Sequence, residues 1–303
     1  MSLANKYRPK EFEDVCSQKV NCTILTKEIE NNSYGHALLF SGPAGCGKTT
    51  CARIFSSKID GQIFEIDCAS HNGVSDVKDI IDTAKKQSIL HKNKVFILDE
   101  CHTLSPQAWS SLLIPLEENI ENTVFIFCTT DTQKIPFTIM SRLQRFNFVP
   151  ITENDIVNRL KIVCNTEKIK YEDNALLVIA KISKGNLRQA LTNLDKCIVY
   201  GDLTESNVRE VLNVVSVDML GGVANAVLNH DVAEIIALLE SIYNNGYELH
   251  LFMTDFLDYV VNNKIVDLMD VTLTIMQDIR YETSPKNIII ARFLTYDPAT
   301  KTS

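Results

Sequence analysis

Gly42-Pro43-Ala44-Gly45-Cys46-Gly47-Lys48-Thr49 fits the spacing G-x4-G-K-S/T. Glycines so placed let successive backbone N–H groups turn inward around phosphate oxygens, and a helix opening there adds partial positive charge. Lys48 is then expected to reach the β- and γ-phosphates, Thr49 to set its hydroxyl on Mg²⁺, and Thr50 to follow in the first helical turn. A second group is Lys94-Val95-Phe96-Ile97-Leu98-Asp99-Glu100, in which four apolar residues deliver two carboxylates to a strand end. Asp99 is expected to bind Mg²⁺, directly or through water, and Glu100 to polarise the attacking water as general base. Thr129-Thr130-Asp131 ends another apolar run. A hydroxyl there could touch the γ-phosphate or the water, and capping a turn fits the spacing nearly as well. Arg142 and Arg188 each bring a guanidinium whose spacing alone is compatible with a surface charge.

Groups this far apart in sequence need a scaffold whose strand ends converge. Strands are expected over 37–41, 63–67, 94–98, 123–128 and 145–148, with helices over 49–59, 74–87 and 106–118 between them. Such alternation implies an α/β domain with a parallel sheet covered on both faces and the site along the strand C-termini. Near Pro150 the pattern becomes helical only. Thr152-Glu153-Asn154-Asp155 approximates a capping box, Gly185 suits a helix C-cap and Asn186 a new N-cap. Helices are expected over 152 onward, 176–182 and 187–199, then after a linker at 201–204 over 223–228, 233–243, 249–262 and 266–280. The predicted division is an α/β domain at 1–150, a helical lid at 151–203 and an all-α domain at 204–303, with residues 296–303 polar and frayed.

The 303 residues carry a formal charge of −8 with 45% hydrophobic content, which excludes collagen-like and wholly disordered classes. The acid is uneven: residues 201–303 hold 6 Lys+Arg against 15 Asp+Glu, and residues 1–200 hold 24 against 23. A general nucleic-acid coat is therefore disfavoured, while a local basic lining in the first 200 residues stays possible. No apolar run reaches membrane-spanning length and the N-terminus lacks a signal-peptide core, so a soluble, cytoplasmic protein is expected, with no membrane partner. The nine cysteines are an odd count without C-x2-C spacing, which reads as free thiols in a reducing compartment.

In this order the segments resemble the AAA+ ATPases of the clamp-loader family, most nearly the bacterial DNA polymerase III gamma/tau subunits and more distantly replication factor C small subunits. Tyr7-Arg8-Pro9, Phe12-Glu13-Asp14-Val15 and Gln18 resemble the family's N-terminal segment beside the adenine pocket. Glu65-Ile66-Asp67-Cys68-Ala69-Ser70 and Asp99-Glu100-Cys101-His102-Thr103-Leu104-Ser105 resemble two further blocks, Thr129 to Pro136 the sensor 1 region, Ser141-Arg142 the Ser-Arg-Cys motif, and residues 185–191 the sensor 2 helix.

The resemblance implies an AAA+ sheet domain, a small helical lid and a helical collar that oligomerises. It makes Thr130 sensor 1, Arg142 an arginine finger acting in trans on the next subunit's ATP, and Arg188 sensor 2 on its own. Implied cofactors are ATP and Mg²⁺. Implied partners are other subunits in a pentameric ring or spiral, a sliding clamp and primer–template DNA. Three departures stand out. The zinc module usual in gamma/tau subunits is missing from the short stretch 50–64, so no zinc is expected. Leu143 replaces the motif's Cys, which alters packing more than chemistry. No tau-like extension follows, so coupling to a polymerase or helicase through one is not expected. The alternatives are a catalytically silent structural subunit, which would usually lack the phosphate-loop Lys or the catalytic acid, and another AAA+ machine such as a branch-migration helicase.

Overall fold

A computed structural model describes residues 2–86 and 91–296. The chain divides into two compact units, Met1–Val199 and Tyr200–Ser303. The first runs α1 (Leu3–Lys6), α2 (Lys19–Glu30), β1 (Ala37–Ser41), α3 (Lys48–Lys58), β2 (Gly61–Asp67), α4 (Val74–Lys85), β3 (Asn93–Asp99), α5 (Pro106–Glu118), β4 (Thr123–Thr129), α6 (Phe137–Met140) and β5 (Gln144–Asn147), then α7 (Glu153–Glu167), α8 (Asp173–Ile182) and α9 (Leu187–Tyr200). The five strands are parallel in the order β2-β3-β4-β1-β5. The expected doubly covered sheet is thus present.

Alternation along the strands splits the core in two. Leu39, Phe96, Leu98, Phe125 and Phe127 pack with Val77 and Ile80 of α4 and with Trp109 and Leu112 of α5. Leu38, Phe40, Val95, Ile97, Val124 and Ile126 face the other way, against Leu25 of α2 and Ala52, Ile54 and Phe55 of α3. Each such side chain contributes about 1.5–3 kcal/mol by burial, which fixes the register and with it the strand ends. Leu143 is buried in the first of these cores beside Ile135 and Ile139, so the Cys position of the family motif serves packing here.

Several sequence expectations need adjustment. Helix α2 was not expected, because its inner face holds Gln18 and Asn21 beside Cys22 and Leu25, while Val20 lies outside. Those amides are buried because they bond strand-edge main chain: Asn21 Nδ2 donates to Asn147 O at 2.8 Å and Gln18 Nε2 to Val149 O at 2.7 Å. The capping box of α7 is only half formed. Thr152 Oγ1 accepts from Asp155 N at 3.2 Å, but Asp155 turns to the Ser17 hydroxyl, which itself accepts from Thr152 N. Helix α4 ends at Lys85; Lys94 reaches back to cap it, donating to Thr83 O at 3.2 Å and to the carbonyls of Ala84 and Lys86. The expected helix end at Gln87 lies outside the described residues, as does the expected frayed stretch 297–303.

The second unit is helical: α10 (Glu205–Val211), α11 (Val217–Leu228), α12 (Val232–Asn244), α13 (Leu249–Asn262), α14 (Val266–Asp278) and α15 (Lys286–Leu294). Its core holds Val223, Ile235, Leu239, Phe252, Phe256, Leu268, Ile275 and Phe293. Side-chain oxygens of Thr204, Ser216, Asp231 and Glu248 cap four of these helices, each contributing about 1 kcal/mol. Among the described residues no helix is long and apolar enough to cross a membrane.

Candidate functional site

Strands β1, β3 and β4 end together, and a cleft opens over them. Its walls include Tyr7, Arg8, Pro9, Val15, Ala44, Gly45, Cys46, Gly47, Lys48, Thr49, Thr50, Asp99, Glu100 and Arg188. The sequence did not single out Ala4, Cys16, Ile151, Leu187 and Leu191, which also line it. They come from α1, the loop before α2, the segment leading into α7 and the helix α9, and only chain folding reveals their convergence.

The loop between β1 and α3 is shaped by Gly45 (φ +69°) and Gly47 (φ +105°), which take left-handed backbone. A Cβ at Gly45 would strike the side-chain amide of Asn186, and Leu187 N donates to Gly45 O at 3.3 Å. The lid therefore rests directly on the phosphate loop. Asn186 cannot yield freely, because its Oδ1 caps α9 by accepting from Gln189 N at 3.0 Å. Gly45→Ala is accordingly expected to displace the lid contact and weaken nucleotide binding about tenfold or more, from the strained φ plus a lost cap. Titration with ATP checks this, and an unchanged affinity would count against it.

Lys48 is buried inside the loop, its Nζ donating to Gly42 O and Pro43 O, each at 2.8 Å. Cys46 points into the protein and donates to Pro43 O at 3.0 Å. Thr49 Oγ1 donates to Asp99 Oδ2 at 2.7 Å. A hydroxyl and a carboxylate this close could share one hard cation, with phosphate and water oxygens completing its shell. Among the described residues no group of three or more His, Cys, Asp or Glu side chains could hold a metal unaided. The cysteines behind the site are protonated packing groups: burial, then nearby carboxylates, push the Cys68 thiol up to about 12.

Glu100 takes left-handed backbone at φ 48°, ψ 40°. Its N–H donates to Asp99 Oδ1 at 3.0 Å, and its Oε2 accepts from Thr130 Oγ1 at 3.3 Å. Thr130 thus touches the acid rather than only capping a turn, while its neighbour Thr129 is wholly buried. His102 also lies against Glu100 Oε2, at 3.3 Å. The sequence pointed to no role for His102; its only signal was a polar ring two residues beyond the acidic pair.

Cations line the same cleft. Arg8 and Arg188 both line the cleft. Burial, then the like charges of Arg53 and Arg188, lower the Arg8 pKa. Arg53 is held in a two-pronged pair with Glu65, both contacts at 2.7 Å. Tyr7 faces the cleft but gives its hydroxyl to Glu167 of α7, and its carbonyl accepts from Arg159 at 2.9 Å. Of the expected residues that do not line the cleft, Gly42, Pro43 and Thr130 touch Lys48 or Glu100, whereas Arg142 touches none of the site. It lies outside the cleft at the protein surface, paired with Glu117 of α5 and donating to Thr138 O.

A phosphate loop, a hydroxyl–carboxylate pair, a half-buried acid and two guanidiniums in one cleft suit a nucleoside triphosphate with a divalent cation. Residues 38–151 match the sequence family described as ATPase family associated with various cellular activities (AAA). The chain belongs to the AAA+ ATPases. Its residues 158–197 match the RCF1/5-like AAA+ ATPase lid domain, and residues 203–283 match domain III of DNA polymerase III subunits gamma and tau. DNA polymerase III subunit gamma/tau of Mycoplasma genitalium is 34% identical over 284 residues, covering 85% of this chain and 48% of that protein. DNA polymerase III subunit tau of Bacillus subtilis is 33% identical, covering 85% and 50%. This AAA+ chain thus spans about half the length of the curated relatives it matches. Among solved structures, the Thermotoga maritima RuvB Holliday junction branch migration motor superposes with a TM-score of 0.59 at 19% identity, covering 72% of this chain and 79% of that one. At that identity the likeness shows the AAA+ fold alone.

Proposed function

We propose that this chain is an ATP-hydrolysing motor subunit of a clamp loader, and that it loads a ring-shaped sliding clamp onto primer–template DNA during replication. Residues 1–150 form the motor, 151–203 the lid and 204–303 an oligomerising collar in a pentameric ring or spiral. The observation that carries the reading is the division of the cations. Lys48 and Arg188 face the same cleft as Thr49, Asp99 and Glu100, whereas Arg142 does not line it.

In the proposed reaction Lys48 and the loop N–H groups hold the β- and γ-phosphates. Thr49 and Asp99 hold Mg²⁺, which neutralises charge building on the phosphate oxygens. Glu100 takes the proton of the attacking water, with Thr130 holding its carboxylate. Arg188 brings the lid to the nucleotide, and Tyr7, Arg8, Pro9 and Val15 border the base and sugar. Arg142, supplied by the neighbouring subunit, completes the site only in the assembly and so couples hydrolysis to it. Keeping both Lys48 and Glu100 argues against a silent structural subunit, and the RuvB likeness carries no activity.

The deciding experiment is ATP turnover of the full chain with its assembly partners, with and without sliding clamp and primed DNA. Stimulation by both is expected, and its absence would overturn the clamp-loader reading. In the same assay Arg142→Ala should bind ATP normally yet lose stimulated hydrolysis by about 10³-fold, the scale of an arginine supplied in trans. An equal loss of the isolated chain's own basal rate would instead make the finger act in cis.

A further inference from the structure

His102 touches the acid of the cleft, yet the proposed reaction leaves it unused. It sits in the single turn Cys101–Thr103 that follows the acidic pair, its side chain 16% exposed. Its Nδ1 lies 3.1 Å from Thr129 Oγ1 and 3.3 Å from Glu100 Oε2. The hydrogen on Nδ1 can be assigned from what surrounds it. Thr129 has one hydroxyl hydrogen, and it donates that to Asp131 O at 3.0 Å. The same oxygen accepts from Asp131 N at 3.0 Å. The remaining lone pair faces the Cys101 thiol as well as the imidazole; with its one hydrogen given to Asp131, Thr129 has none for the ring, so Nδ1 is assigned as the donor. The carboxylate Oε2 is also acceptor-only and lies 3.3 Å from the same nitrogen, a close electrostatic contact beside the hydrogen bond to Thr129.

We propose that His102, in its Nδ1–H form, is a positioning residue for Glu100. The inference rests on the reading of Glu100 as general base. The N–H is held on the buried Thr129 hydroxyl with its positive end beside Oε2, and Thr130 donates to that same Oε2 from the next residue of the strand end. One hydrogen bond and one close electrostatic contact hold the same carboxylate oxygen, so Oε1 is the oxygen presented to the attacking water. Fixing matters here because Glu100 protrudes from a left-handed backbone position with its side chain 39% exposed, where a free carboxylate would sample several rotamers. The anchor is rigid: Thr129 belongs to the buried end of β4 and is locked by both its hydrogen bonds to Asp131. The role is orientation, so it should appear in turnover and not in nucleotide affinity.

The test compares side chains that place a donor differently. The amide nitrogen of asparagine can stand in for Nδ1–H, whereas that of glutamine stands in for the other ring nitrogen. In the full chain, His102→Ala is expected to lower kcat about tenfold or more with ATP affinity unchanged. His102→Asn should recover most of that loss and His102→Gln little of it. Combined with Glu100→Gln, His102→Ala should cost nothing further, because the group it positions is gone. Equal rates for the Asn and Gln variants, or additive losses with Glu100→Gln, would overturn the proposal. If Glu100→Gln itself turns over normally, the general-base reading fails instead. Nitrogen-15 NMR of the unmodified chain, with the His102 signals assigned through the Asn variant, provides a readout independent of activity. A protonated Nδ1 is expected; an unprotonated Nδ1 would also overturn the proposal.

Discussion

Lys48→Ala is expected to weaken ATP binding by at least about a hundredfold, roughly 3 kcal/mol. The ammonium is buried and already directed into the loop by the carbonyls of Gly42 and Pro43. It therefore meets the phosphates with little further ordering cost, and its charge-assisted bonds form where water is largely excluded. Alanine removes the charge and leaves two loop carbonyls without this donor, so part of the effect could arise from a loosened loop. Two measurements separate these causes. Isothermal titration with ATP gives the affinity, and thermal unfolding without nucleotide gives the loop's share. A lost affinity with an unfolding midpoint near that of the unmodified chain assigns the effect to phosphate binding. Unchanged affinity would remove the loop from the ATP site.

Most of the α/β domain was legible because its scaffold uses one physical device repeatedly. Buried strands such as Val95-Phe96-Ile97-Leu98 are apolar on both faces, and the first polar residues after them fall at the strand end. Asp99, Glu100 and Thr130 could be placed that way, since the sheet order only had to bring their strands together. Asn186 and Thr152 were legible as helix caps because their side-chain acceptors act within three residues. The contacts that escaped the sequence act at long range. Gln18 is a polar residue buried for its main-chain partners, and it masks the apolar stripe of α2. Nothing local marks Asp155 for Ser17, over a hundred residues away, in preference to its own helix. The Glu117–Arg142 pair and the Glu100–His102–Thr129 chain likewise depend on how β3, β4 and α5 are stacked. Residue type narrowed the chemistry, and packing chose the partners.

Glu100→Gln is expected to leave ATP affinity within about twofold and to lower turnover by roughly 10²–10³-fold. The substitution keeps the shape and an oxygen able to accept the Thr130 hydroxyl, so the local geometry survives. It removes the ability to take a proton, which the attacking water must lose as its oxygen bonds to the γ-phosphorus and the bond from that phosphorus to the departing ADP oxygen breaks. Asp99 cannot substitute, because its Oδ2 is engaged by Thr49 and its Oδ1 by the Glu100 main chain. In the proposed arrangement the Nδ1 of His102 already carries a hydrogen, given to Thr129 beside this same carboxylate, and so cannot take the proton. Single-turnover hydrolysis at saturating ATP, run beside equilibrium binding, distinguishes lost chemistry from lost binding. Retained affinity with the chemical step slowed assigns Glu100 to proton transfer. Hydrolysis at the unmodified rate would remove it from the mechanism, and parallel losses in both would make it a binding residue. An ATP-bound, hydrolysis-arrested variant has a further consequence for the proposed cycle. If clamp gripping requires bound ATP and release requires hydrolysis, this variant should hold a clamp on primed DNA long after the unmodified protein has let go. A pull-down timed against dissociation reads that directly, and release at the unmodified rate would uncouple hydrolysis from clamp release.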